Sequence, residues 1–257
     1  MLSIEQKDSV AIVRFDRGEK LNAFNQVLIR ELTETAYRFE FDETIRAIVL
    51  TGMPASFSAG MDLGDEMWRR ADASDLERRQ MFYGGVRLCN AWENIPQITI
   101  AAIEGMAIGA GVALALACDW RVAANDSFLC VPEVKVGINL QWGALPRLIS
   151  LVGPARAKRI CLLCERLSAT QALDWGLLDA ICRSGSAVAE ATRLAQQVAE
   201  RPPAAVRMVK EAVNATANVL HRATSFADAD QSQLSAGFSD ARQARSKFLS
   251  RNEKHRT

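Results

Sequence analysis

The chain has 257 residues, a length suited to one or two domains at ~150 residues each. Its 31 Lys and Arg oppose 30 Asp and Glu, leaving a net charge of +1. That balance lacks the clustered basic excess a nucleic-acid groove needs to neutralise phosphates, so no nucleic-acid partner is expected.

Residues 1–15 alternate apolar and polar around Lys7-Asp8-Ser9, which predicts a two-stranded hairpin. Leu28, Leu32, Ala36 and Phe39 recur at helical spacing between Asn25 and Phe41, predicting a helix. The apolar run from Arg46 to Thr51 reads as a buried strand, ended by Gly52. Residues 62–80 are dense in charge and weakly periodic. A second helix follows, with Phe82, Val86, Cys89 and Trp92 on one face, and stops before Pro96.

Gln97 to Ile103 predicts another buried strand, Glu104 to Gly111 a glycine-punctuated turn, and Val112 to Cys118 a short apolar helix. Two short strands are expected at Trp120–Ala123 and Ser127–Cys130, and mainly helix from Pro154 onward. Ser168 with Gln171 three residues later reads as a capping box. Strands alternating with helices, then a helical tail, give an α/β core over 1–195 and a helical region over 196–257. No repeat of fixed period is visible.

The longest uncharged stretch near mid-chain, Gly105 to Cys118, is 14 glycine-interrupted residues, against ~20 apolar residues for a membrane span. The first eight residues carry acid and no apolar leader region, so a cytoplasmic protein is expected. Cys161 and Cys164 form one C-x-x-C without a second ligand pair, which reads as two small hydrophobes on one helix face rather than zinc ligands. No metal site is expected. With only His221 and His255 present, chemistry falls to carboxylates and backbone donors.

Two stretches share one device: a buried strand, a small-residue loop, then a helix start. They are Ile48 to Asp62, through Phe57-Ser-Ala-Gly, and Ile98 to Val112, through Gly109-Ala-Gly. Either loop is a tight turn or a place where free N–H groups meet an anionic oxygen; two that converge would form an oxyanion hole. A dinucleotide motif fails because its third glycine would fall at Leu114. A nucleophile elbow fails because Ser56 stands two residues before Ser58.

Asp16 to Phe24, Val49 to Gly52 with Phe57 to Leu63, and Gly105 to Gly111 with Cys118-Asp119 resemble the enoyl-CoA hydratase/isomerase (crotonase) family. So do Phe128 to Glu133 with Gly137, Gly153 to Ala157, Ala172 to Leu177, and Phe238 to Asp240 with Phe248. The resemblance implies a crotonase-like spiral of β-β-α repeats, with a C-terminal helical region that assembles a homotrimer or hexamer. It implies an acyl-CoA thioester as substrate, coenzyme A being part of that substrate and no separate cofactor needed. The thioester oxygen would sit between the N–H groups of Met61 and Ala110. Lys20, Leu21, Ala23 and the stretch Ala59, Asp62 and Leu63 would follow the CoA, and Arg251 would approach its phosphates unless it is merely part of a solvated basic face. Glu133 matches one of the two hydratase glutamates; the other position is Ala113, and the dienoyl-CoA isomerase aspartate position is Gln141.

A single carboxylate suffices to move a proton between two carbons of an enolate, so 3-enoyl-CoA to 2-enoyl-CoA isomerisation with Glu133 as acid/base leads. Hydratase and decarboxylase remain as alternatives within the family, and a non-catalytic acyl-CoA binder as one of a different functional class, since fold does not fix function. Asp119 reads as structural, with a cation or N–H group as partner. Asp65 and Glu66 read as a solvated lid unless one reaches the substrate.

Overall fold

The computed structural model describes residues 1–65, 70 and 72–254, with side chains through 248. The chain opens with the expected hairpin, β1 (Leu2–Lys7) and β2 (Val10–Phe15). It continues through α1 (Gln26–Glu40), β3 (Ala47–Thr51), α2 (Asp75–Asn94), β4 (Ile98–Ile103), β5 (Met106–Ile108) and α3 (Ala110–Leu116). Then come β6 (Trp120–Ala124), β7 (Phe128–Cys130), α4 (Ala144–Leu163), β8 (Leu167–Ser168), α5 (Ala169–Asp174) and β9 (Ala180–Cys182). The rest is helical: α6 (Ala187–Ala199), α7 (Pro203–Ala217), α8 (His221–Ser225), α9 (Asp228–Ala236) and α10 (Ser239–Lys254). Among the described residues no helix is long and apolar enough to cross a membrane.

Six strands form one sheet in the order β1-β2-β3-β4-β6-β9, and three form a second, β5-β7-β8. Each passage through the core sends a long strand into the large sheet and a short one beside β5, then a helix. β3 is followed by Ser58, bridged in parallel to Ala107; β4 is followed by β5, and β6 by β7. These are the turns of a β-β-α spiral. They begin at residues 47, 98 and 120, so the repeat has no fixed period for a sequence to display.

The buried strands have two apolar faces. On β3 and β4, Ala47, Val49, Ile100 and Ala102 join one cluster with α6, whose Ala187, Ala191, Ala195 and Ala199 lie flat on the sheet. The alternate residues Ile48, Leu50, Ala101 and Ile103 join the main core with α1 and α2. Strands buried on both faces read as continuous apolar runs, which is why they were legible. α6 runs through residue 195, so the division after that position falls inside a helix.

Capping follows local chemistry. Asn25 accepts from the Leu28 N–H at the start of α1. The reciprocal capping box is Ser74 with Glu77, opening α2. Ser168 has only half of one: its hydroxyl accepts from the Gln171 N–H. Asp119 has the expected partners, the Thr99 N–H and hydroxyl at 2.7 and 2.9 Å and Lys210 Nζ at 2.7 Å.

Four local expectations are corrected. The stretch Glu104 to Gly111 is not one turn, because Met106–Ile108 pairs with β7 as a strand. Helix begins at Ala144 rather than Pro154, and α4 is kinked at Gly153. The strands β8 and β9 interrupt the helical part, β9 pairing with β6. Cys164 does not share a helix face with Cys161, since it caps α4 in a left-handed conformation.

Candidate active site

The two small-residue loops converge. Phe57 and Ser58 donate to Glu104 and Met106 carbonyls, and the Ile108 N–H donates to Ser58, so the loops run side by side. Past this pairing, a Cβ added to Gly60 would lie 3.8 Å from the Ala110 nitrogen. Among the described residues neither the Met61 nor the Ala110 N–H makes a hydrogen bond. Both residues line one cavity of about 430 Å³. The small helix α3 begins at Ala110, so its N–H is one of the donors a helix start leaves without an internal partner.

Glu133 opens a 3-10 turn, residues 133–136, directly after β7 and Pro132. Its carboxylate reaches back over Gly109: a Cβ there would lie 2.5 Å from Oε1, and Gly109 holds φ +52°. Both facts demand glycine at 109. Glu133 as a residue is half-buried, but its Oε2 is sealed from solvent and has no hydrogen-bond partner. Burial therefore pushes the carboxyl up to about 7, against the opposing pull of a backbone hydrogen bond.

Ala113 lines the same cavity, as does Gln141. Among the described residues Glu133 is the only carboxylate in the lining. α2 contributes Arg78, Met81, Phe82 and Gly85, a face offset from the one its apolar spacing suggested. Its buried residues are Gly84, Gly85, Leu88, Cys89, Ala91 and Trp92. The Trp142 indole packs on Gly85, where a Cβ would lie 1.8 Å from Cε2. From the C-terminal region α9 and α10 close the cavity with Ser232, Gln233, Ala236 and Arg245. Gln26, Trp142 and Ser232 went unseen in the sequence, where positions 26, 142 and 232 carry no shared signal.

The stretches expected along the CoA lie together at the cavity edge. The Ala59 N–H donates to Leu21, the Phe24 N–H to Gly60, and the Asp62 N–H to Phe24. Leu21 is exposed, Ala23 buried, and Leu63 reaches the cavity lining. Asp62 pairs with Arg17 at 2.8 Å and Lys20 at 2.9 Å. Burial opposes its ionisation, yet the hydrogen bonds from Lys20, Arg17 and Gly64 together hold it below the usual carboxylate range. Asp65 is not a free lid acid, because its Oδ2 accepts from the Gln26 N–H at the start of α1. Glu66 and the side chain of Arg251 lie outside the described residues.

A family model described as enoyl-CoA hydratase/isomerase matches residues 5–255. A Mycobacterium tuberculosis protein named "Probable enoyl-CoA hydratase echA6" is 37% identical over 83% of this chain and 82% of its own length. The 1,2-epoxyphenylacetyl-CoA isomerase of Escherichia coli is 32% identical over 94% of this chain and 92% of that protein. A crystal structure of an enoyl-CoA hydratase/isomerase from Mycobacterium paratuberculosis superposes with a TM-score of 0.88 at 27% identity, covering 96% of this chain and 97% of that one.

Proposed function

The chain belongs to the enoyl-CoA hydratase/isomerase family, and from that premise we propose that it converts 3-enoyl-CoA to 2-enoyl-CoA with Glu133 as the single acid/base. The observation that carries the reading is the cavity lining: Glu133 is its only carboxylate among the described residues, and positions 113 and 141 hold alanine and glutamine.

In this reading the thioester oxygen lies between the Met61 and Ala110 N–H groups. Glu133 takes a proton from C2, and the electron pair spreads through the carbonyl and the 3,4 double bond as a dienolate. The two N–H donors hold the charge on oxygen, each contributing about 3 kcal/mol on the scale of a deleted oxyanion donor. Glu133 then returns the proton to C4, leaving the double bond between C2 and C3. A carboxyl near 7 suits both halves of that transfer, since the group must take a proton and then release it. The chemistry is an internal proton shift and needs no cofactor beyond the CoA of the substrate. Lys20, Leu21 and Ala23, with Ala59 to Leu63, would border the CoA, and Arg251 its phosphates.

Hydration is the second reading, favoured by the unpaired Oε1 of Gln141, a group able to hold a water. Adding water across a 2,3 double bond requires a proton taken from water and another given to C2, tasks that two placed carboxylates divide. Ala113 removes the second one. One preparation assayed with 3-hexenoyl-CoA and crotonyl-CoA, followed by absorbance and mass, tests the choice. Isomerisation is expected to exceed hydration by about a hundredfold or more. Faster hydration of crotonyl-CoA would overturn the single-carboxylate reading.

A further inference from the structure

The Met61 N–H follows a residue that could let it turn. Gly60 holds φ +92°, and a Cβ on it would lie 2.9 Å from the Ile108 carbonyl oxygen, so conformation and space both demand glycine. A trans peptide points its C=O and N–H in opposite directions, so whatever holds the Gly60 carbonyl aims the Met61 N–H. The Phe24 N–H holds that carbonyl at 2.7 Å. A side chain holds the other end of Gly60, whose N–H donates to Ser58 Oγ at 3.1 Å.

Ser58 is fully buried and stands outside the cavity lining. Its hydroxyl works in both directions, accepting from Gly60 and donating to the Asn22 carbonyl at 2.9 Å. That carbonyl belongs to a constrained turn. Lys20, Leu21 and Asn22 hold φ of 49°, 51° and 62°, values that residues other than glycine keep only when their surroundings impose them. The buried Asn22 amide does so: Nδ2 donates to the Phe15 and Phe57 carbonyls at 2.9 and 3.0 Å, and Oδ1 accepts from the Arg17 N–H at 3.0 Å. Ser58 also meets the second loop. Its Cβ lies 3.0 Å from the Cβ position of Gly111, the residue after Ala110.

We propose that Ser58 is a positioning residue: its hydroxyl, anchored on Asn22, fixes Gly60 so that the Met61 N–H faces the thioester oxygen. The inference rests on the reading of Met61 as an oxyanion donor. Without the hydroxyl, the Gly60 N–H loses its partner in a buried place, and glycine offers the rotation by which the following peptide swings off its aim.

Isotope-edited infrared spectroscopy reads this without turnover, because hydrogen bonds to a carbonyl oxygen lower its stretching frequency. Butanoyl-CoA labelled at the thioester carbonyl would be bound to the full chain, and the wild type is expected to displace the band below that of the free ester. Ser58→Ala keeps the Cβ beside Gly111 and removes only the hydroxyl. It should lose about half of the displacement, since one of two donors is misaimed. Its turnover of 3-hexenoyl-CoA should fall about ten- to hundredfold. Affinity for butanoyl-CoA, measured by calorimetry with full site occupancy, should weaken less than about fivefold. Should Ser58→Ala not fold, Asn22→Asp, which keeps Oδ1 for Arg17 and removes both amide donors, carries the same expectations. The full wild-type displacement in a variant that binds the ester would overturn the proposal and leave the oxyanion reading standing. Turnover and affinity falling by one factor would do the same. No displacement in the wild type would overturn both.

Discussion

Glu133 is where stability and function pull apart. Its carboxyl titrates near 7 in the folded chain against an ordinary 4.5, so between those values the native state keeps a proton that the unfolded state has lost. The stabilisation this gives is complete below pH 4.5 and disappears as pH rises through 7, up to about 3 kcal/mol. Glu133→Gln keeps the shape and cannot ionise. It should therefore raise the unfolding free energy relative to wild type at pH 8 and change it little at pH 4. Urea unfolding at the two pH values checks this, and an equal difference at both would mean that the carboxyl is not sealed. The same substitution should lower turnover by about two to four decades while CoA-ester affinity barely moves. With Glu133 as the proposed base, wild-type kcat/KM should rise with pH and level off above about 7, because a carboxyl takes a proton only when ionised.

Among the elements, α2 has a conspicuous local inconsistency: Gly84 and Gly85 stand inside a 20-residue helix, where each glycine costs about 1 kcal/mol relative to alanine. Tertiary packing explains the second, because the Trp142 ring occupies the space of a Gly85 side chain. Gly85→Ala should thus reverse the usual helix gain and destabilise by about 1–3 kcal/mol through overpacking. Thermal unfolding would report it, and a stabilised variant would show that the indole moves aside freely. The same contrast marks what was legible in the sequence. The hairpin, α1, β3, α2 and β4 carry long periodic or continuous apolar patterns. Strands of two or three residues such as β5, β8 and β9 carry none, because partners distant in the chain decide them. Glu133, Met61 and Ala110, which line the cavity, were picked out through the family resemblance, whereas Gln26 of α1 and Ser232 of α9 come to line it only through packing between elements far apart in the chain.

At the scale of the molecule, the C-terminal helices do two jobs. The inner sides of α9 and α10 close the cavity, α9 against α2 and α10 against the turn that carries Glu133. The outer side of the preceding stretch is apolar: Met208, Val209 and Val213 on α7, Val219 and Leu220 after it, and Phe226 just past α8 are all more than half exposed. Single exposed hydrophobes are ordinary, but a run of this kind along one region marks a surface that another protein covers. We propose a second copy of the chain as the occupant, the trimer or hexamer that the sequence resemblance implies. Light scattering on the purified protein should then give three or six times the 28.2 kDa chain mass. Val209→Asp with Val213→Asp places two charges four residues apart on the exposed face of α7, and should break the assembly through the desolvation of unpaired carboxylates. The doubly substituted chain should remain folded, since neither side chain belongs to the apolar clusters of the core. If α9 and α10 close the cavity within their own chain, its affinity for hexanoyl-CoA should survive dissociation. Loss of that affinity in a folded monomer would show that a neighbouring copy completes the site. A wild-type mass of 28.2 kDa at micromolar concentration would rule out the assembly itself.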